Sequence, residues 1–250
     1  MIELSVPGAD VVVSPRDGGR LASLRIEGHE LLVTGTSSDH PMLWGAFPMV
    51  PWAGRVAHGQ FTFDGETYEL PLDLPPHAIH GTTYQRPWDV ADDGSLVIAL
   101  DWPFGGHAVQ RFDLGDHGLT CTIEVHAGDR PMPAQAGWHP WFARPVELRF
   151  SARSMYARDD EGIPTGVLVE PTERPWDDCF TDVVAPPMLI VPGGPTVTLT
   201  STCDHWVVYT EPEHALCVEP QSGPPDAFHA IPQVVLPGQP LVETMTYRWA

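Results

Sequence analysis

Apolar and polar residues alternate over short runs along most of this chain, and few windows keep a helical period. Gly59-Gln-Phe-Thr-Phe, Thr67-Tyr-Glu-Leu, Ser95-Leu-Val-Ile-Ala-Leu-Asp-Trp, Leu119-Thr-Cys-Thr-Ile-Glu-Val-His, Thr196-Val-Thr-Leu-Thr and Trp206-Val-Val-Tyr-Thr alternate or are rich in β-branched and aromatic residues. That suits the two-residue repeat of a strand. Asp64-Gly65 lies between two such runs and predicts a two-residue hairpin turn. Asp116-His117-Gly118 predicts a longer turn between two more. The 23 glycines and 28 prolines interrupt the remaining windows before a helix of useful length can form. The pattern therefore predicts an all-β chain folded as a large antiparallel sandwich. Strand-like runs continue to Thr246-Tyr-Arg-Trp with no linker-like change in composition and no internal repeat, so residues 1–250 read as a single domain.

Charge narrows the partners. Asp and Glu number 33 against 13 Lys and Arg, a formal net charge of −20, and every one of the 13 is an arginine. Such a surface repels a phosphate backbone, which excludes nucleic acid. It also weighs against a phosphorylated substrate, although one placed arginine could still hold a phosphate. Without lysine, Schiff-base chemistry and a P-loop are ruled out. No apolar stretch reaches the roughly 18–20 residues that span a bilayer, and Met1-Ile-Glu-Leu-Ser-Val has no signal-peptide pattern, so a cytoplasmic protein with no membrane partner is expected. Cys121, Cys179, Cys203 and Cys217 lack metal-cluster spacing and read as reduced, part-buried thiols.

Four scattered segments carry candidate chemistry. In His77-Ala-Ile-His80-Gly81, two histidines follow Pro75-Pro76; the spacing fits either ring acting on a ligand or metal, or loop histidines bonded to backbone. His139, between Trp138 and Pro140-Trp141-Phe142, is either an acid–base group among aromatic rings or a core histidine. Flat C–H faces of a sugar pack on such rings. Asp177 and Asp178 point to opposite sides if their segment is extended. Glu219 follows the apolar run His214-Ala-Leu-Cys-Val and precedes Pro220-Gln221; partial desolvation at a strand end would raise its pKa and suit it to act as a base. Arg55 is one of few cations, fit to grip ligand oxygens or to neutralise a carboxylate.

The run Trp44-Gly-Ala-Phe-Pro-Met-Val-Pro-Trp-Ala-Gly-Arg55-Val, with Asp64-Gly-Glu-Thr-Tyr-Glu-Leu, His77-Ala-Ile-His80-Gly81, Trp138-His139-Pro140-Trp141-Phe142, Trp176-Asp177-Asp178-Cys179-Phe180 and Glu219-Pro220-Gln221 through Pro225-Asp226-Ala227, resembles the aldose 1-epimerase (galactose mutarotase) family in colinear order. The resemblance implies a galactose mutarotase-like β-supersandwich that interconverts the anomers of a free, neutral hexose or pentose without a cofactor or metal. It implies Glu219 as general base on the anomeric hydroxyl, His139 as general acid on the ring oxygen, and His80 as the histidine assisting that step. Arg55 and Asp177 match residues that hold sugar hydroxyls, and His77, Trp138 and Gln221 are further candidates for sugar contact. Gly81 is followed by Thr82-Thr83 where the family often has a second glycine, and Asp178-Cys179 stands where many members have His-Asn. Both departures border the expected sugar site and bear on substrate identity.

Opening a hemiacetal needs a base at the C1 hydroxyl and an acid at the ring oxygen, each contributing about 10²–10⁴-fold. Competing readings are a hexose-6-phosphate 1-epimerase, a non-catalytic sugar-binding protein of the same fold, a metal-dependent enzyme using His77, His80, His139 and Glu219, and a glycoside hydrolase using Asp177 and Glu219. A monomer or homodimer is expected.

Overall fold

The computed structural model describes residues 1–249, and antiparallel strands dominate it. The larger sheet has eleven strands. From one edge to the other it runs through Ile2–Val6, Ala9–Ser14, Arg20–Ile26, Ala46–Met49, Gly137–Ala143, Ala215–Gln221, His205–Tyr209, Asp177–Val183, Ala152–Arg158 and Pro164–Val169, with His29–Glu30 paired beside Arg20–Ile26. A second sheet of eight strands includes His107–Gly115, Gly118–His126, Leu241–Trp249 and Thr196–Ser201. The expected all-β supersandwich is the fold observed. Helix is confined, among the described residues, to Ala227–Ala230 and two short 3-10 turns.

The Asp64-Gly65 turn forms as the sequence predicts. Phe63 pairs with Glu66, and both turn residues have positive φ (52° and 78°), the type I′ geometry that matches strand twist. The second turn is shorter than predicted. Gly115 pairs with Gly118, so only Asp116 and His117 lie outside the ladder. Gly118 also pairs with Arg248 of the C-terminal strand, and that second neighbour draws it into the sheet. A further difference concerns Glu219, expected just past a strand end. The strand runs on through Gln221, because Glu219 pairs with Val207 and Gln221 with His205.

Side-chain alternation divides the central strands of the larger sheet into two faces. Trp138, Phe142, Phe180, Val208, Leu216 and Val218 point into the main core, where they meet Cys121, Ile123, Leu199, Met245 and Tyr247 from the second sheet. Phe47, Met49, Trp141, Ala215 and Cys217 belong to a separate apolar cluster with Tyr84 and Ala53. The sheet centre is therefore covered on both sides. This explains why Ala215–Gln221 is buried at every position, with no exposed polar row.

Loops cover this second face, and glycine permits the tightest approach. His80 itself has φ of 59°, and its N–H donates to the Gly54 carbonyl at 3.0 Å. Gly81 follows at φ 78°, and a Cβ there would sit 1.9 Å from the Val50 carbonyl oxygen. Gly65 shares that φ but has nothing within 4 Å of a built Cβ. Gly65→Ala should cost only the left-handed strain, about 1 kcal/mol. Gly81→Ala should cost strain plus a backbone clash, at least about 2–3 kcal/mol, lowering Tm by roughly 4–12 °C. Equal thermal melts for the two variants would contradict this account of the loop.

Candidate active site

Strand register assembles the site. Gly137 pairs with Gln221 and Trp141 with Cys217, and the same register on either side sets His139 across from Glu219. Pro140 and Pro220 lack N–H groups, so ladder bonds are missing in this stretch while the register is kept. The row continues outward through Phe47, opposite His139, and Val207, opposite Glu219. A neighbouring row reads Trp141, Cys217, Tyr209 and Asp177. All these side chains share one face of the sheet.

Above them is a cavity of about 310 Å³, lined by His80, His139, Trp141, Glu219, Gln221, Arg55, Asp177 and Tyr209 together with Met42, Leu43, Leu74, Ile79, Val207 and Pro225. Its size suits a small molecule. Another depression, of about 360 Å³, is bounded by Phe63, Asp64, Glu66, Tyr68, Phe104 and Arg130, its carboxylates contributed by the exposed hairpin turn.

The centre of the cavity floor is a carboxylate facing an imidazole. Glu219 Oε1 lies 3.3 Å from His139 Nε2, and both residues are almost completely buried. Gln221 Nε2 donates to the other carboxylate oxygen at 3.4 Å. Burial is the main cause that pushes the Glu219 carboxyl well above the usual range; Asp177 adds to the rise, while Gln221 and Arg55 oppose it. Burial likewise holds His139 down to about 3, with the Arg20 guanidinium contributing. Both the ion pair and the uncharged pair hold a single titratable proton, and the two shifts favour the uncharged form, carboxylic acid beside neutral imidazole.

His139 is clamped by ring stacking, with Phe47 at 4.8 Å on one side and Trp141 at 5.2 Å on the other, both near-parallel. His80 meets it edge-on at 5.0 Å and 87°. Desolvation, then His139, then Arg55 hold His80 well below 6.5, so its ring is neutral at neutral pH. The Nδ1 atoms of His80 and His139 have no partner among the described residues.

At the cavity wall, Arg55 and Arg158 both reach Asp177 Oδ2, at 3.5 and 3.4 Å. Arg158 Nε also holds Asp178 at 2.9 Å. The motif residue Asp226 anchors Arg55 from behind. Its N–H donates to the Arg55 carbonyl at 2.7 Å, and its carboxylate accepts the Ala57 N–H at 2.9 Å.

Of the residues singled out in the sequence, Glu219, His139, His80, Arg55, Asp177 and Gln221 converge on the cavity. Trp138 does not. It points to the opposite face, packs in the main core and donates its indole N–H to Gln110 Oε1 at 3.2 Å. A one-residue step along a strand reverses the side, so Trp141 is the tryptophan beside His139. His77 is also outside the cavity wall: it is buried in the loop, with Nδ1 accepting the His58 N–H at 3.2 Å. Arg86, another arginine close in sequence to the histidine segment, is half-buried, is absent from the cavity wall and donates to the Ala99 carbonyl. Arg158, Trp141 and Phe47 were missed as site residues. Arg20 was missed too, a fully buried guanidinium 4.2 Å above the Trp44 ring that donates to the Trp44 and Tyr84 carbonyls. Alternation alone would have separated Trp141 from Trp138; pairings across 24 or more residues leave no local trace.

Comparison with known proteins agrees with the architecture. A family model for aldose 1-epimerase matches residues 1–185. The uncharacterized protein YphB of Escherichia coli K12 is 30% identical over 132 residues, 50% of this chain and 46% of YphB, so the match spans less than half of that relative's length. Among solved structures, a galactose mutarotase-like protein from Clostridium acetobutylicum has a TM-score of 0.87 at 16% identity, covering 99% of this chain and 94% of that one. Galactose 1-epimerase from Lactobacillus acidophilus NCFM has a TM-score of 0.83 at 18% identity, covering 99% and 93%.

The Arg158–Asp178 contact is testable. Burial raises the Asp178 carboxyl and Arg158 lowers it, leaving a net rise. Removing the guanidinium raises it further, and a raised carboxyl opposes folding increasingly as pH climbs above its unfolded value of 3.8. Arg158→Met should therefore cost about 1–2 kcal/mol at pH 7 and less near pH 4, where the carboxyl takes up a proton. Denaturant unfolding at both pH values checks this, and an equal loss at each would show that the pairing is not the cause.

Proposed function

The chain belongs to the aldose 1-epimerase family, and on that premise we propose that it interconverts the α and β anomers of a free, neutral aldose by acid–base ring opening and closure. The observation that carries the proposal is the buried Glu219–His139 pair on the floor of a small cavity. Ring opening requires a proton to leave the anomeric hydroxyl as another reaches the ring oxygen. Glu219 is the base and His139 the acid. Passing the shared proton from Glu219 to His139 across their 3.3 Å contact gives carboxylate and imidazolium, and the ring-opening step returns carboxylic acid and neutral imidazole, the uncharged form that burial favours. Rotation about the C1–C2 bond presents the other carbonyl face, and reclosure runs both transfers backwards.

The surrounding groups take supporting parts. The Phe47 and Trp141 rings fix the plane of His139, and His80 adds a neutral ring at its edge. Gln221 orients the Glu219 carboxylate. Asp177 and Arg55, held together at the wall, accept from and donate to sugar hydroxyls, while the indole of Trp141 faces sugar C–H groups. Arg55 and Arg158 are both committed to Asp177, with Asp178 adding a further negative charge, so neither of these two cations is free for a phosphate. That favours a free sugar over a hexose 6-phosphate.

Glu219→Gln should lower the turnover number by roughly 10²–10⁴-fold with the fold intact, measured by polarimetry on freshly dissolved α-glucose and α-galactose. Activity near wild type would remove Glu219 from the role of base. In the same assay wild-type protein should act on glucose in preference to glucose 6-phosphate. Sugar binding with no acceleration at all would favour a carbohydrate-binding protein instead.

A further inference from the structure

Cys217 has no part in the acid–base reading, yet it shares a strand face with Glu219, two residues earlier, and stands across from Trp141. One ligand atom each from His139, Cys217 and Glu219 lies within 4.8 Å of the others, and all three residues are buried. We propose that these side chains form a binding site for a thiophilic divalent cation, zinc above all, which inhibits the protein by occupying the acid–base pair. The inhibition rests on the proposed mutarotase activity; the metal site does not.

The donor set is imidazole nitrogen, thiolate sulfur and carboxylate oxygen, the three kinds that zinc accepts in tetrahedral sites. A single carboxylate among softer donors discriminates against magnesium and calcium, which demand oxygen shells. Charge also balances. A thiolate and a carboxylate cancel the two positive charges of the ion, so the complex is neutral where an uncompensated charge would be costly. Binding sends two protons to water, one from the thiol and one from the Glu219–His139 pair, and involves no electron transfer. Three protein ligands leave a fourth position, and two of the three residues line the cavity, so water or a sugar hydroxyl from that side completes the shell.

A second grouping, His58, His77 and Glu161, supplies an internal control. His58 Nε2 already lies 3.1 Å from Glu161, and His77 Nδ1 already accepts a backbone N–H. Two of its three members are exposed. Prior engagement and exposure make it the weaker site.

Chelator-treated protein titrated with cobalt(II) provides a readout independent of activity. Wild type should develop a thiolate-to-cobalt charge-transfer band that saturates at one equivalent and is bleached by zinc. Cys217→Ala and the near-isosteric Cys217→Ser should lose the band, and His58→Ala should retain it. Zinc should block anomer equilibration reversibly, with chelator restoring it. Cys217→Ala should keep its turnover and require at least about tenfold more zinc for half-inhibition, since even outer-shell losses cost metal affinity 10–100-fold. Should Cys217→Ala melt at working temperature, Cys217→Ser carries the comparison. The proposal is overturned by a wild-type spectrum without the band, by a band that survives loss of Cys217, or by equal zinc sensitivity of wild type and variant. A band in a protein with no mutarotase activity would uphold the metal site while removing the proposed reaction.

Discussion

A carboxylate and an imidazole held 3.3 Å apart, both almost completely buried on a cavity floor, is the arrangement on which the rest of this structure depends. Either group alone, charged and buried, would be expensive. Together they need only one proton, and the sheet around them is organised so that neither can escape to solvent. The two strands that carry them are central in an eleven-stranded sheet, with apolar clusters on both faces. The stacked rings of Phe47 and Trp141 leave His139 little rotational freedom, and Gln221 restrains Glu219. Such preorganisation leaves little to rearrange in the proposed proton transfer.

Charge is handled locally despite the strongly acidic composition. Asp177 is shared by Arg55 and Arg158, Asp178 is held by Arg158, and Asp226 is committed to backbone N–H and histidine contacts. Arg20 is bonded to carbonyl oxygens, that of Asp17 among them, and lies against aromatic faces behind the histidine stack, with the Asp17 carboxylate near enough to act on its charge. Its field reaches His139 and disfavours the imidazolium, as burial does. The same enclosure that keeps this pair neutral brings the Cys217 sulfur beside it. The proposed acid–base pair and the proposed cation site thus share His139 and Glu219.

Local features were readable where local physics decides them. The Asp64-Gly65 hairpin needs only two residues that tolerate positive φ, and it forms as predicted. Repeated short alternating runs between glycines and prolines specify strands without naming their partners. The extent of the Glu219 strand and the brevity of the Asp116-His117 turn depend on a neighbouring strand lending its hydrogen-bonding groups. Such a neighbour can lie more than 100 residues away and leaves no mark in the local pattern.

The sequence by itself determined the all-β character, the absence of lysine, and a colinear motif set that points to one family. Tertiary structure decided which members of that set meet. His139 and Glu219 are 80 positions apart, and only antiparallel register makes them neighbours. Register also chose between adjacent candidates, turning Trp138 into the core and Trp141 toward the cavity, and loop packing turned His80 inward while His77 stayed in the loop. The physical reason is the two-residue period of a strand. Composition and spacing list the side chains, but one step of register decides which face each occupies, and with it whether a residue packs the core or meets the ligand.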